Sequence, residues 1–144
     1  MTDITLLTCQ AYYRPGKITP YIQNILDEEQ LLKAALEKQG LSVGITYWDD
    51  SSYKWNETKC ILFRTIWDYF KKLEEFFLWL EEVKDQTKLI NSYDLVKWNI
   101  NKHYLKDLQE KGIQIVPTFF ADKNCAQSLD NISRINKWPD LVIK

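Results

Sequence analysis

At 144 residues, with 45% hydrophobic and 27% charged side chains, the chain is long enough to bury one core without disulfide or metal staples. This balance excludes a disordered chain and an integral membrane protein. A formal net charge of −1 argues against nucleic acid as a partner, because neutralising phosphates needs a clustered basic surface. The three cysteines, Cys9, Cys60 and Cys125, form no C-x-x-C pair and read as reduced thiols of a cytoplasmic protein. No basic-then-apolar leader opens the chain and no apolar run is long enough to span a bilayer, so no membrane partner is expected.

Taken in order, Ile4 to Cys9 is an apolar, β-branched run that predicts a first strand. Gln10 to Leu26 holds Arg14-Pro15-Gly16-Lys17 and Pro20 and reads as a long loop of turn formers and aromatics. Asp27, with Gln30 three residues on, predicts the start of a helix that buries Leu31, Leu32, Ala35 and Leu36 and closes at Lys38-Gln39-Gly40. Alternation over Val43, Ile45 and Tyr47 predicts a second strand leaving at Trp48-Asp49-Asp50. The paired acids there either belong to a solvated turn or hold a metal or a substrate amine.

Cys60 to Phe63 is continuously apolar, as a central strand of a parallel sheet must be. It runs into Arg64-Thr65-Ile66-Trp67-Asp68-Tyr69. An Arg at such an exit either binds a carboxylate or phosphate in a forked geometry, oriented by Asp68, or closes the loop through an Arg64–Asp68 ion pair. Leu73, Phe76, Phe77, Leu80 and Val83 then recur at helical spacing and predict a core-facing stripe. Lys88 to Ile90 is a fourth strand.

A helical turn follows, and then a helix that Asn101 would cap and that ends at Lys111-Gly112. Lys102 falls in the first turn of this helix, where the dipole disfavours a cation. It is therefore either a solvated lysine or one held to meet an anion. Ile113 to Val116 predicts a strand, Asn124 with Gln127 a helix cap before Leu129, Ile132 and Ile135, and Leu141 to Ile143 a last strand. An unpaired strand at Leu141–Ile143 would invite a second copy to form a homodimer through that edge.

Strands alternating with helices predict an α/β fold with a mostly parallel sheet, whose ligands bind beyond the carboxyl ends of the strands at Cys9, Asp49, Arg64, Asn91 and Thr118. No G-x-G-x-x-G or G-x-x-x-x-G-K-[ST] is present, which argues against a dinucleotide-binding dehydrogenase or a P-loop enzyme. The single histidine, His103, lacks a local Ser or Cys partner and reads as a solvated helix residue rather than part of a hydrolase triad.

Several segments, in their order and spacing, resemble the N-terminal part of ATP-grasp ligases. These are Trp48-Asp49-Asp50, Arg64 to Tyr69, Phe76 to Leu80, Leu89-Ile90-Asn91, Trp98-Asn99, Asn101-Lys102 with Tyr104-Leu105, Gly112, Val116-Pro117-Thr118 and Leu141-Val142-Ile143-Lys144. That superfamily includes glutathione synthetase and the ribosomal-protein glutamate ligases, and the likeness is nearest the branch with the cycloserine-pathway cyclo-ligase. The resemblance implies a pre-ATP-grasp α/β domain over residues 1–118 and the first elements of an ATP-grasp lobe over 119–144.

It also implies that Lys102 and Lys144 reach ATP phosphates, and that Arg64, Asp68 and Asp49 face a small carboxylate or amine substrate. The reaction implied is carboxylate attack on the γ-phosphate to give an acyl phosphate, which an amine captures, with ATP and magnesium as cofactors. The glycine-rich loop, adenine hinge and magnesium ligands of such enzymes have no counterpart here. The expectation is therefore a piece of a longer ligase, inactive alone, with no catalytic or metal-binding residue of its own and no tightly held nucleotide. A non-catalytic α/β module that binds a small carboxylate or a protein partner is the alternative.

Overall fold

The structure is a computed structural model that describes residues 1–122 and 124–143. It divides into two compact units, Met1–Lys97 and Trp98–Lys144. The first carries a four-stranded parallel sheet of β1 (Thr2–Thr8), β2 (Val43–Tyr47), β3 (Thr58–Thr65) and β4 (Lys88–Ile90) in the order β2-β1-β3-β4. Parallel strands need long crossovers, and these include helix α1 (Pro20–Lys38) after β1 and helix α2 (Leu73–Val83) after β3. The predicted α/β class and parallel sheet are present.

Both central strands extend further than their apolar runs, because threonine hydroxyls at the strand ends find partners inside the protein. At one end of β3, Thr5 Oγ1 donates to Thr58 Oγ1 at 2.9 Å and takes a 2.6 Å bond from the Tyr53 hydroxyl. At the other end Thr8 and Thr65 share a 2.6 Å bond. Buried hydroxyls cost free energy unless paired, and here each is paired.

Helix α1 begins seven residues before the Asp27 that the sequence favoured. Thr19 Oγ1 accepts from the Ile22 amide at 3.3 Å, and Pro20 occupies the first helical position, where a missing N–H costs nothing. The loop after β1 is shortened accordingly to residues 9–19. The buried side of α1 also differs: Ile25 and Glu29 are buried, whereas Leu31 is 73% exposed and Ala35 faces solvent. The helix closes at Gly40, which takes φ +82, as the sequence predicts.

Helix α2 packs an aromatic core against the sheet. Phe76, Trp79, Leu80 and Val83 are buried, and Trp79 lies 6.0 Å from Trp48, 5.4 Å from Trp55 and 6.1 Å from Phe63, ring centre to ring centre. These edge-to-face contacts are each worth about 0.5–1.5 kcal/mol beyond area burial. Leu73, placed in the predicted stripe, is instead exposed.

The second unit holds helix α4 (Tyr104–Glu110) and helix α5 (Leu129–Asn136), while helix α3 (Tyr93–Ile100) begins in the first unit and ends in the second. Ile113–Val116 and Leu141–Ile143 form no strands, because no described strand pairs with their backbone groups. The edge strand expected to pair two copies is therefore not formed among the described residues. Helix α5 starts after Ser128, whose Oγ accepts from the Asn131 amide at 3.2 Å, rather than after Asn124. No helix among the described residues is long and apolar enough to cross a membrane.

Candidate functional site

In a parallel sheet the carboxyl ends of all strands emerge on one edge, where the loops gather side chains that are distant in sequence. Here the order β2-β1-β3 puts the β2 and β3 exits on either side of β1. Trp48, immediately after β2, is 1% exposed and sends its indole N–H to Asp68 Oδ1 at 2.9 Å, in the loop after β3. Next to it, Asp49 Oδ2 accepts from Lys72 Nζ at 2.7 Å, and the same ammonium sits 5.9 Å from the Trp48 ring centre. Asp49 Oδ1 is buried without a hydrogen-bond partner. Two of the predicted substrate residues, Asp49 and Asp68, are thus gathered around one indole.

The two acids after β2 have separate duties. Asp50 accepts from Thr46 Oγ1 at 2.8 Å and from Ser52 at 2.6 Å, which closes the turn, and leaves Asp49 to Lys72. Arg64 forms no ion pair with Asp68. Its guanidinium donates to Glu28 on α1, so neither Asp68 pairing nor an unencumbered fork describes it. Its Nε is buried without a partner.

Beneath Arg64 lies a polar cluster that the sequence did not disclose. Glu29 is buried on α1 and accepts from Thr65 Oγ1 at 3.0 Å; with that proton committed, Thr8 donates to Thr65. Burial pushes the Glu29 carboxyl above its ordinary range, against the hydrogen bond from Thr65 and the charge of Arg64. Cys9, at the β1 exit, is buried and free, and burial together with the charge of Asp68 raises its thiol.

The loop after β1 covers this edge with aromatics. Tyr12 meets Trp67 edge to face at 5.8 Å, and Tyr13 meets Tyr47, the last residue of β2, at 5.3 Å. Tyr47 is raised above its ordinary range by desolvation and by the Asp50 and Asp49 carboxylates. Arg14 stands with its guanidinium 5.1 Å over the Tyr13 ring.

In the second unit Lys102 is exposed, 5.7 Å from the Tyr104 ring centre. Asn101 does not cap α4: its Oδ1 accepts from the His103 amide at 3.0 Å, a turn two residues on, and α4 starts at Tyr104 without a side-chain cap. His103 is exposed and stacks on Phe120. Lys144 lies outside the described residues. A surface depression lined by Phe119, Phe120, Asp122, Asn124 and Cys125 contains none of the predicted site residues. No group of three or more His, Cys, Asp or Glu among the described residues could hold a metal ion.

Residues 4–91 match the family model of the D-cycloserine synthetase DcsG N-terminal domain. The cycloserine biosynthesis protein DcsG of Streptomyces lavendulae is 31% identical over 87 residues, which cover 60% of this chain and 29% of that protein. The crystal structure of D-cycloserine synthetase DcsG matches with a TM-score of 0.69 at 26% identity, covering 81% of this chain and 36% of that one. The chain thus spans roughly a third of the length of these relatives. The matched segment contains β2, β3, β4 and most of β1 together with Asp49, Arg64 and Asp68, and the chain belongs to the family of the D-cycloserine synthetase DcsG N-terminal domain.

Proposed function

We propose that this chain is the substrate-binding front part of an ATP-dependent carboxylate–amine ligase that works through an acyl phosphate. The observation that carries the reading is the convergence of Asp49 and Asp68 on Trp48 at the carboxyl edge of a sheet that matches the N-terminal domain of a synthetase. In this reading residues 1–118 are the pre-ATP-grasp domain and 119–144 begin the nucleotide-binding lobe. A carboxylate oxygen attacks the γ-phosphorus of ATP and ADP leaves. An amine nitrogen then attacks the acyl carbon, phosphate departs, and the nitrogen loses its proton.

Lys102 fits a phosphate contact, since it is exposed and makes no ion pair with a carboxylate among the described residues. Lys144 is its proposed counterpart. Magnesium, when bound, neutralises charge on the transferred phosphoryl group, and its ligands lie on other parts of the polypeptide in this reading. The protein acts in the cytoplasm on a small carboxylate or amine.

The test begins with the intact mass of the protein from its native cells. A mass well above 17.2 kDa, with magnesium-dependent ADP release that Lys102→Ala lowers by about tenfold or more, is expected. A mass equal to this chain, with a folded protein indifferent to ATP, overturns the ligase reading in favour of a non-catalytic module that binds a carboxylate or a protein partner.

A further inference from the structure

The sheet has two edges, and only one of them is guarded. β4 ends it on one side with three residues, one of them the exposed Lys88, and a short, charged strand discourages further pairing. β2 ends it on the other side with Val43-Gly44-Ile45-Thr46-Tyr47, a strand that holds no charge and no proline and runs beside β1 in unbroken register. We propose that this edge is an interface at which β2 pairs antiparallel with β2 of a second copy of the chain, joining the two sheets into one.

The phase of the β2 backbone fixes which groups are offered. The Ile4 amide donates to the Ser42 carbonyl at 3.1 Å and the Trp48 amide to the Thr8 carbonyl at 3.2 Å, so the even-numbered residues of this strand turn their N–H and C=O toward β1. Val43, Ile45 and Tyr47 therefore turn theirs to the open edge. Among the described residues the one bond to these groups comes from the Asp50 amide, which donates to the Tyr47 carbonyl at 3.2 Å and leaves that oxygen a second lone pair. The pattern is its own complement. About a twofold axis at Ile45, the two Ile45 residues exchange both of their hydrogen bonds, and Val43 of each copy exchanges its own with Tyr47 of the other. The same register sets a β-branched and an aromatic side chain opposite one another at either end, a pairing that favours antiparallel strands.

Charge singles out a second copy as the occupant. Asp50, at the carboxyl end of the strand, accepts from the neutral hydroxyls of Thr46 and Ser52 and from the Ser52 amide, and no cation pairs with it among the described residues. Lys38, in the last turn of α1 just before the amino end of the strand, is exposed and meets no carboxylate among the described residues either. The twofold at Ile45 aligns Asp50 of one copy with Gly40 of the other, just past Lys38, and does so at both ends. Each uncompensated acid then approaches an uncompensated cation, whereas pairing the two strands in parallel would set acid beside acid.

Sedimentation equilibrium of the full polypeptide should show a reversible monomer–dimer transition. Ile45→Pro removes a central N–H that β1 does not use and should raise the dimer dissociation constant by about tenfold or more. Lys38→Glu should weaken the dimer in dilute salt, and adding Asp50→Asn should recover part of that loss. Because proline can unfold an edge strand outright, cross-linking reads the register independently. In a Cys125→Ser background, Ile45→Cys should oxidise to a disulfide-linked dimer, since hydrogen-bonded antiparallel residues stand about 5.5 Å apart at Cα, within disulfide reach. Val43→Cys should not, because Val43 lies opposite Tyr47. A protein that stays monomeric up to about 1 mM overturns the proposal. So does a dimer in which Ile45→Cys fails to cross-link or Val43→Cys cross-links as well. A monomer whose Val43 and Ile45 amides are protected from hydrogen exchange carries another strand on this edge, and overturns the second copy as its occupant.

Discussion

The indole N–H of Trp48 and the carboxylate of Asp68, 20 residues apart in sequence, are joined by a 2.9 Å hydrogen bond that spans the exit of β1. The bond ties the loop after β3 to the end of β2, and the Trp48 ring behind it is fixed by edge-to-face contacts with Phe76 at 5.3 Å and Trp79 at 6.0 Å. Asp68 is therefore positioned by an indole that the aromatic core holds in place. Trp48→Phe keeps an aromatic ring but removes the donor. A hydrogen bond to a charged group contributes about 1.5–3 kcal/mol, so urea unfolding should show a loss in that range. Asp68→Asn retains an acceptor oxygen and should cost less. An Asp68→Ala variant as stable as the unaltered protein would show that the bond itself contributes nothing, any Trp48→Phe loss then being lost indole packing.

Glu29 makes stability depend on pH with a sign opposite to the usual carboxylate. Burial raises its folded value above the ordinary 4.5, so the folded protein holds this proton more tightly than the unfolded chain does. Its contribution to stability is full below 4.5 and declines as pH rises through the raised value. Glu29→Gln keeps an acceptor for Thr65 and removes the titration, so its stability relative to the unaltered protein should improve from pH 4 toward neutrality. Glu29→Ala leaves the Thr65 hydroxyl without its acceptor in a buried site and should cost about 1–3 kcal/mol at pH 4, a cost that shrinks toward neutrality because alanine too removes the titration. A constant offset between Glu29→Gln and the unaltered protein across that pH range would contradict the assignment.

The parallel sheet was legible because each strand carries a run of apolar or alternating residues, and β2 and β4 fall where those runs lie. The ends of β1 and β3 were not, because Thr2, Thr58 and Thr65 look polar until their partners across the sheet are known. In α2, Phe76 to Leu80 is continuously apolar, so two stripes fit helical spacing; only the packing of Trp79 on Trp48, Trp55 and Phe63 selects the one observed. At the site, Asp49, Arg64 and Asp68 stood out by their place after apolar runs. Glu29 and Lys72 did not, since each depends on a contact across 23 to 36 residues. The strands expected in the second unit failed because local propensity does not supply a pairing partner.

Glu81 provides a surface counterpart with the ordinary sign. Hydrogen bonds from Lys84 and Tyr93, aided by the charges of Lys84 and Lys97, hold its carboxyl down at about 2. Its contribution to stability is present above its ordinary 4.5 and is lost as pH falls through about 2. Carboxyl-carbon NMR titration should show Glu81 as one of the last acids to protonate, and added salt should move it back toward its ordinary value, because the group is fully exposed. Lys84→Met should raise it more than Lys97→Met does, since Lys84 supplies the hydrogen bond. A Glu81 that titrates at 4.5 in dilute buffer would mean that the pair is not held in solution.

The three thiols should report unfolding one by one. Cys125 is exposed, Cys60 lies half-buried in β3 and donates to the Asp3 carbonyl at 3.4 Å, and Cys9 is 2% exposed at the β1 exit. Burial pushes both Cys9 and Cys60 above their ordinary range, which lowers the thiolate fraction that reacts. Under native conditions an alkylating reagent followed by peptide mass mapping should label Cys125 within minutes, Cys60 more slowly, and Cys9 only at the rate of opening of the sheet edge. Adding urea should bring Cys9 up to the Cys125 rate across the unfolding transition, and Trp48→Phe should speed Cys9 labelling by loosening the Asp68 loop above it. If Cys9 reacts as fast as Cys125 in the native protein, the loop after β1 does not cover the strand exit, and the aromatic contacts of Tyr12 with Trp67 and Tyr13 with Tyr47 are not maintained in solution.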